Sequence, residues 1–234
     1  MTNEEIQEIL KSHLKWLNGE PDGKRAVLVG ADLSRANLQY ANLTGADLSG
    51  ANLNRTYLYK ANISEAELLY ADLNKAILDG ADLQYTDLRN ANLSEANISG
   101  TNLRGADLRG ANLENIYYDN STLFYTSSCP EKGSFIGFKK CGKYIVELRI
   151  TENAKRCSAT SRKCRCSEAE VLSITNIDGT SADISSVSSN FDPNFVYKIG
   201  EIVHVDDFDE DRWNECSSGI HFFIIRDEAV RFIY

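Results

Sequence analysis

The chain has 234 residues, of which 42% are hydrophobic and 25% charged, and its net charge is −9. These proportions are typical of a soluble globular protein and exclude a disordered or collagen-like chain, while the negative charge disfavours broad binding to nucleic acid or to an anionic membrane. No apolar run approaches the roughly 20 residues of a membrane span, and the acidic start Met-Thr-Asn-Glu-Glu differs from a basic export signal, so we expect a cytoplasmic protein.

Residues 1–20 predict an amphipathic helix. Thr2 and Glu5 fit a capping box, and Gly19 suits the end of the helix. One face is apolar, formed by Ile6, Ile9, Leu10, His13 and Leu17. A repeat architecture needs covered ends, so we expect this helix to cap the segment that follows and His13 to be packed. A partner-binding amphipathic helix is the alternative.

Residues 21–125 are dominated by a period of five residues. A Leu or Ile recurs at eighteen consecutive positions from Leu28 to Leu113, and Leu123 returns to the same phase. The residue two positions earlier is Ala, with three exceptions: Thr56, Thr86 and Thr101. Five steps of about 100° on a helix, or of about 180° on a strand, would point successive Leu side chains in different directions. The pattern therefore buries its Leu side chains only if the chain turns a corner in every repeat.

The individual repeats resemble those of the pentapeptide-repeat family. They include Ala-Asp-Leu-Ser-Arg at 31–35, Ala-Asn-Leu-Thr-Gly at 41–45 and Ala-Asp-Leu-Arg-Gly at 106–110. The resemblance implies a mainly β fold, a right-handed quadrilateral β-helix with four repeats per coil. At the ~4.8 Å spacing of stacked strands, eighteen repeats would form a rod about 22 Å long.

The same resemblance raises DNA mimicry, because some members of the family imitate DNA and occupy topoisomerase. Residues 21–125 contain 13 acidic and 9 basic residues, a net charge of −4. This net charge imitates only weakly the charge density of DNA, which carries one negative charge every ~1.7 Å. Inhibition of a topoisomerase or another DNA-binding protein therefore stays an alternative function.

Residues twenty apart would lie above one another on a four-sided coil, and two charged columns follow. The acidic column comprises Asp47, Glu67, Asp87 and Asp107. The basic column comprises Arg35, Arg55 and Lys75. Exposed aromatic anchors are expected at Tyr40, Tyr59, Tyr70 and Tyr85. We predict that the columns, with Tyr70 and Tyr85, are candidate contacts for a protein partner. Ordinary solvated faces are the alternative.

Residues 126–234 predict a small α+β domain that is mostly β. Strands are expected at Tyr144–Ile150, Glu170–Ile174, Val196–Val205 and Ile220–Ile225. Asp178-Gly179 indicates a turn, and Arg226–Phe232 a short helix or a last strand. The stretch Asp206–Phe223 and residues 155–160 are similar to a domain on pentapeptide-repeat proteins of bacteriophages and bacteria, one with no assigned chemistry. This resemblance implies a phage or prophage factor that antagonises a host protein, such as a defence protein, in the host cytoplasm.

The second domain also contains candidate ligand-binding residues. A phosphate or nucleotide ligand would be held by Lys155, Arg156, Arg162, Lys163, Arg165 and His221. Pairing of this basic run with the acidic run at 206–211 is the competing interpretation. Zinc could be held by Cys157, Cys164 and Cys166 with Cys216 or His221, but structural zinc sites usually have paired C-x₂₋₄-C spacings and this chain has one C-x-C and one C-x₆-C.

A thiol nucleophile could be Cys216 with His221, or one of Cys157, Cys164 and Cys166 among the neighbouring lysines and arginines, which would lower a thiol pKa. Neither arrangement shows a third, orienting residue or a familiar nucleophile motif. We therefore predict reduced cysteines with no catalytic, metal or cofactor site, and a non-enzymatic binding protein. Its partner would be a protein, and a nucleotide ligand is the alternative.

Overall fold

A computed structural model describes residues 1–233 of the chain. The backbone contacts divide the chain into two units, Met1–Thr126 and Ser127–Tyr234, where the sequence predicts a boundary after residue 125. No helix within residues 1–233 is long and apolar enough to cross a membrane.

Helix α1 (Asn3–Leu17) has the predicted ends. The Thr2 hydroxyl accepts a hydrogen bond from the Glu5 N–H, and the Glu5 carboxylate accepts one from the Thr2 N–H. This confirms the capping box. Gly19 follows the helix with a φ of +68°, a conformation that favours glycine.

His13 joins α1 to the first coil of the repeat segment. In later repeats the small inward residue donates its N–H to the carbonyl three residues earlier, as Ala31 does to Leu28. Ala26 begins the first repeat and donates instead to Nδ1 of the buried His13, at 3.0 Å. Burial lowers the pKa of His13, which keeps the imidazole neutral and Nδ1 able to accept. The helix therefore supplies the acceptor that the end of the repeat segment lacks.

Each repeat forms one side of a four-sided coil. Parallel bridges join outward residues twenty apart, beginning with Val27–Asp47. Inward residues donate to the next coil, as Leu48 N–H does to the Glu67 carbonyl at 2.7 Å. The Leu and Ile centres from 28 to 108 are at most 5% exposed. The β-helix is therefore confirmed, and its right-handed winding stays a prediction.

The corner of each repeat is a β-turn with a left-handed residue. The Ala36 N–H donates to the Leu33 carbonyl at 3.0 Å, and Arg35 between them has a φ of +58°. A turn with positive φ at its third residue favours glycine. Several corners nevertheless carry Arg, Lys, Glu, Tyr or Asn with the same sign of φ. Each such side chain costs about 1–2 kcal/mol in backbone strain, which the stacking of coils must offset.

The outward residue before each inward centre usually closes its turn with its own side chain. Asp32 Oδ1 accepts the N–H of Ser34 at 3.1 Å. Asp or Asn makes the same contact in thirteen further repeats. These Asx-type contacts satisfy a backbone donor in each repeat. Four repeats carry a different residue type at this position. They are the repeats of Val27 and Glu67, on one side of the coil, and of Tyr57 and Ile77, on another.

The prediction that Leu123 returns to the inward phase is wrong. Leu123 bridges Asn102, which lies 21 residues earlier, and is 50% exposed. Thr122 is buried in its place and donates to the Ile98 carbonyl at 3.1 Å. One additional residue before Thr122 therefore shifts the register by one position.

The C-terminal unit contains nine strands and one helix. The strands are β1 (Phe135–Cys141), β2 (Tyr144–Ile150), β3 (Arg156–Ser158), β4 (Lys163–Cys166), β5 (Glu168–Asn176), β6 (Ser186–Ser188), β7 (Val196–Lys198), β8 (Ile202–His204) and β9 (Ile220–Phe223); helix α2 is Arg226–Arg231. One sheet has the order β3-β4-β9-β1-β2-β5-β8, and β6 pairs with β7. Only Ser167 separates β4 from β5 in the chain, whereas β9, β1 and β2 lie between them in the sheet.

The predicted strands that became β2, β5 and β9 are confirmed, and the segment predicted as a helix or a last strand at Arg226–Phe232 forms helix α2 over Arg226–Arg231. The prediction of one strand over Val196–Val205 is wrong, because the chain turns at Gly200, which has a φ of +84°. Strands β1, β3 and β4 were not predicted. Their burial patterns include lysine, arginine and cysteine at inward positions, which a pattern of hydrophobic alternation does not detect.

We predict that His13→Leu lowers the free energy of unfolding by about 1–3 kcal/mol, because the buried Ala26 N–H loses its acceptor. Urea unfolding followed by circular dichroism measures the change. Leu14→Gln, at an exposed position of the same helix, is the matched control and should change stability by less than about 0.5 kcal/mol. An unchanged unfolding midpoint for His13→Leu would contradict the capping role of this histidine.

Candidate functional site

The acidic column lies on the side of the coil that begins at Val27, here called the acidic side. Its carboxylates are partly neutralised by arginines. Arg89 lies 2.5 Å from Asp87 and 3.8 Å from Asp107, and Arg109 also pairs with Asp107. The hydrogen bond from Arg89 lowers the pKa of Asp87. The acidic side therefore presents ion pairs more than bare negative charge.

The other acidic-column residues and the nearby tyrosines complete this side. Glu67 pairs with Arg25 at 2.6 Å, and Asp47 accepts the N–H of Ser49 at 3.1 Å. Three of the four column residues thus close turns: Asp47, Asp87 and Asp107. Tyr70 and Tyr85 are exposed at the two corners that border the acidic side. The sequence analysis missed the turn-closing role, although the frequency of Asp and Asn at this position was a signal for it.

The basic column lies at a corner of the coil. Arg35, Arg55 and Lys75 all have positive φ angles near +58°. Lys75 pairs with Glu95 at 3.2 Å. Within residues 1–233, neither Arg35 nor Arg55 has a carboxylate within ion-pair distance. This corner therefore exposes two guanidinium groups to solvent.

The corner borders a side of the coil that carries aromatic residues, here called the aromatic side: Tyr40, Tyr57, Tyr59 and Ile77. Tyr40 is 67% exposed and Tyr57 is 44% exposed. The rings of Tyr40 and Tyr59 meet edge to face at 5.5 Å, and Lys60 Nζ lies 5.2 Å from the Tyr59 ring. Tyr40 and Tyr59 were expected as anchors, whereas Tyr57 and Ile77 were not singled out.

The basic run of the C-terminal unit does not gather at one site. Arg156 donates to four backbone carbonyls, those of Gly133, Thr151, Glu152 and Ala154. Arg165 is buried and donates to the carbonyls of Asp209, Asp211 and Ser218. Both arginines therefore fix loops to the sheet.

Two further members of the run form ion pairs at the surface. Lys155 lies 2.5 Å from Glu210, and Arg162 pairs with Glu228. Lys163 and His221 instead line a cavity, together with two lysines that the sequence analysis missed, Lys139 and Lys140. These two lysines were not considered because β1 was not predicted.

The cavity has a volume of about 740 Å³. Its aromatic wall consists of Phe191, Phe195, Tyr197, Phe223 and Phe232. The lysines of the lining come from β1 and β4 and His221 comes from β9, and Cys216 and residues 217–219 also line the cavity. A volume of this size is within the usual range for small-molecule sites, about 300–1,000 Å³.

The groups around the cavity differ in burial and charge. Lys139 is 5% exposed, and burial lowers its pKa. Burial, together with the nearby cations Lys163 and Lys139, lowers the pKa of His221 to about 4, so the imidazole is neutral at neutral pH. Its Nε2 lies 3.0 Å from the Glu215 carbonyl, which requires a proton on that nitrogen.

The six cysteines are reduced, and five of them are buried or half-buried: Cys129, Cys141, Cys157, Cys164 and Cys166. Burial raises the pKa of the Cys141 thiol to about 11. Cys216 is exposed, and its Sγ lies 3.7 Å from Lys163 Nζ. The part of the chain that the structure describes contains no cluster of three or more His, Cys, Asp or Glu side chains arranged to hold a metal ion.

Comparison with protein families divides the chain at the same place as its backbone contacts. A family model for pentapeptide repeats, in eight copies, matches residues 24–55, 41–80 and 76–115. A second model, described as a family of unknown function (DUF5758), matches residues 125–229. No curated protein matches the chain.

Several solved structures are similar to the repeat segment. HetL, a pentapeptide repeat protein involved in heterocyst differentiation regulation from Nostoc sp. strain PCC 7120, is 41% identical over 40% of this chain, with a TM-score of 0.39. The chain spans only 45% of its length. Another pentapeptide repeat protein of Nostoc PCC 7120 is 33% identical, with 47% of this chain and 84% of that chain covered and a TM-score of 0.23. A third, from the Arabidopsis thaliana thylakoid lumen, is 29% identical, with 41% and 70% covered and a TM-score of 0.28.

We predict one fast-reacting thiol in the folded protein. Cys216 should react with iodoacetamide at neutral pH because it is exposed, whereas the other five thiols should react only on unfolding. Mass spectrometry counts the labels, and Cys216→Ser should remove the fast one. Rapid labelling of any second cysteine would contradict the burial described above.

Proposed function

We propose that this chain, which belongs to the pentapeptide-repeat family, is a binding protein that engages a protein partner through the aromatic side of its β-helix. The observation that carries the proposal is the concentration of apolar side chains on one side, next to two arginines that have no carboxylate partner among residues 1–233. Interface centres are rich in tyrosine and arginine, and charges other than arginine are depleted there.

The turn chemistry supports the choice of the aromatic side. Fourteen repeats close their turn with Asp or Asn, whereas Tyr57 and Ile77 stand at equivalent positions without such an acceptor. A hydrogen bond of this kind contributes about 1 kcal/mol. The scaffold therefore gains nothing in its turns from an exposed tyrosine at 57, and a role in recognition explains the residue.

The basic corner indicates the charge of the partner. Arg35 and Arg55 stack in successive coils, so their like charges repel each other mildly. A partner with an acidic patch beside an apolar pocket would relieve this repulsion and receive the tyrosines. Binding of this kind weakens as the salt concentration rises.

The acidic side is the alternative surface within the same proposal. It offers the acidic column with Tyr70 and Tyr85 at its borders, but its ion pairs weaken the negative field that DNA mimicry needs. A bacterial host protein, for example a defence factor met by a phage-encoded chain, is the kind of partner that the C-terminal resemblance favours. No enzymatic step is part of the proposal.

We predict that the double variant Tyr57→Asn and Ile77→Asn loses the partner and keeps the fold. Asn can close both turns, so the free energy of unfolding should stay within about 1 kcal/mol of the parent or rise. The full chain, immobilised, is exposed to bacterial lysate, and retained proteins are quantified by mass spectrometry. The partner should be retained by the parent chain, released by high salt and depleted about tenfold or more with the double variant.

The matched control is Tyr70→Gly, which removes an exposed tyrosine from a left-handed corner at the border of the acidic side. It should leave capture unchanged. Loss of the partner with Tyr70→Gly, or with Asp87→Lys and Asp107→Lys, while the double variant still binds, would move the interface to the acidic side. Capture of no protein that depends on either side would contradict the proposal as a whole.

A further inference from the structure

We infer that the cavity of the C-terminal unit binds a small organic anion with a planar ring, of the size and charge of a nucleoside monophosphate. This inference concerns a separate unit and does not rest on the proposed function of the β-helix. It uses Lys163 and His221 from the basic run, and it depends equally on Lys139, a residue of β1.

Lys139 is a buried cation in the lining of the cavity. Lys139 Nζ donates to the His221 carbonyl at 3.3 Å and lies 5.7 Å from the Tyr197 ring. Among residues 1–233, no carboxylate lies within ion-pair distance of this ammonium group. An ammonium group that is 95% buried without a counterion is costly. An anion bound in the cavity would supply the missing charge.

The buried end of the cavity, here called the inner end, carries the positive charge of the lining lysines. Lys163 is 13% exposed at its side chain and shares its charge with Glu215, whose carboxylate lies 3.6 Å away. Lys140 Nζ donates to the carbonyls of Val230 and Phe232, both at 2.9 Å, and so ties the C-terminal segment to β1. Lys139 and Lys163 together leave net positive charge at this end after partial neutralisation by Glu215, which suits a compact anionic group such as a phosphate monoester.

The mouth of the cavity, formed by its exposed lining residues, carries negative charge. The acidic residues of the lining are exposed: Asp192, Asp206 and Asp207. The side chain of Asp206 is 98% exposed. Negative charge at the opening and positive charge inside would admit one compact anionic group and would repel a long polyphosphate that extends outward. This favours a monophosphate over a triphosphate.

The aromatic wall of the cavity contains two pairs of rings in contact. Phe195 and Tyr197 lie 5.3 Å apart between ring centroids, and Phe223 and Phe232 lie 5.2 Å apart. Two aromatic pairs beside a cationic end provide apolar surface for a planar ring. Inorganic phosphate would leave this wall unused, and a neutral nucleoside would leave Lys139 without a counterion. A ring and an anion in one molecule satisfy both.

Isothermal titration calorimetry on the full chain tests the inference with AMP, GMP, CMP and UMP, and with the four corresponding nucleosides and inorganic phosphate as separate arms. At least one monophosphate should bind with a dissociation constant below about 1 mM. The matching nucleoside and inorganic phosphate should each bind about tenfold more weakly or worse. Equal binding of inorganic phosphate would overturn the role of the aromatic wall, and equal binding of the nucleoside would overturn that of the lysines.

Variants locate the site. Lys163→Gln and Lys139→Met should each weaken monophosphate binding about tenfold or more. Lys139→Met should also leave the melting temperature unchanged or raise it, because it removes a buried charge; a purely structural lysine would lower it. Lys155→Gln, which alters an exposed lysine of the basic run outside the cavity lining, is the matched control and should bind like the parent.

Three results would overturn the inference. They are no saturable binding of any of the four monophosphates, binding that survives both Lys139→Met and Lys163→Gln, and binding that Lys155→Gln abolishes. The last result would assign the ligand to the surface of the basic run. If Lys139→Met does not fold, Lys163→Gln and Lys155→Gln still separate these outcomes.

Discussion

The left-handed residue at the corner of every repeat is the constraint on which the repeat unit depends. A chain that turns once every five residues points each Leu or Ile centre at a common axis, and it places successive coils within hydrogen-bonding distance of each other. Without the corner, a period of five would scatter those apolar side chains over all sides of a helix or both faces of a strand. The strain at non-glycine corners is tolerated because neighbouring coils fix the backbone on both sides. At the first repeat, where no earlier repeat supplies a carbonyl three residues back, His13 supplies the acceptor for the Ala26 N–H.

The same geometry separates residues that hold the scaffold from residues that are available for recognition. Inward positions are filled by Leu, Ile, Ala and Thr, and most outward bridge positions are filled by Asp or Asn, which close turns. Acidic residues such as Asp87 and Asp107 therefore have a local structural reason to be present, independent of any partner. Tyr57 and Ile77 have no such reason, and Arg35 and Arg55 have no carboxylate within ion-pair distance in the part of the chain that the structure describes. Binding of a partner, as proposed above, would explain both the apolar residues and the arginines.

The sequence was sufficient for the repeat unit because one short rule recurs many times. The five-residue period predicted the inward Leu side chains, and the need to cover the end of a repeat segment predicted the capping helix. The register change before Thr122 was not predictable, because a single additional residue leaves no periodic pattern in the sequence. The C-terminal unit was less predictable for a physical reason. Its cavity brings together Lys139 of β1, Lys163 of β4 and His221 of β9, which are distant in the chain and meet only through strand pairing. Arg156 and Arg165 looked like ligand-binding cations, yet in the structure they bind backbone carbonyls.

The claim that inward aliphatic side chains hold the coils together is tested most directly by thermal unfolding of Leu73→Asp, followed by circular dichroism. Leu73 is fully buried, so a carboxylate there should cost more than about 4 kcal/mol and abolish the cooperative transition of the repeat unit. The neighbouring outward variant Asp72→Asn keeps an oxygen to accept the Asn74 N–H and should melt like the parent. A melting temperature for Leu73→Asp within about 2 °C of the parent would contradict the account.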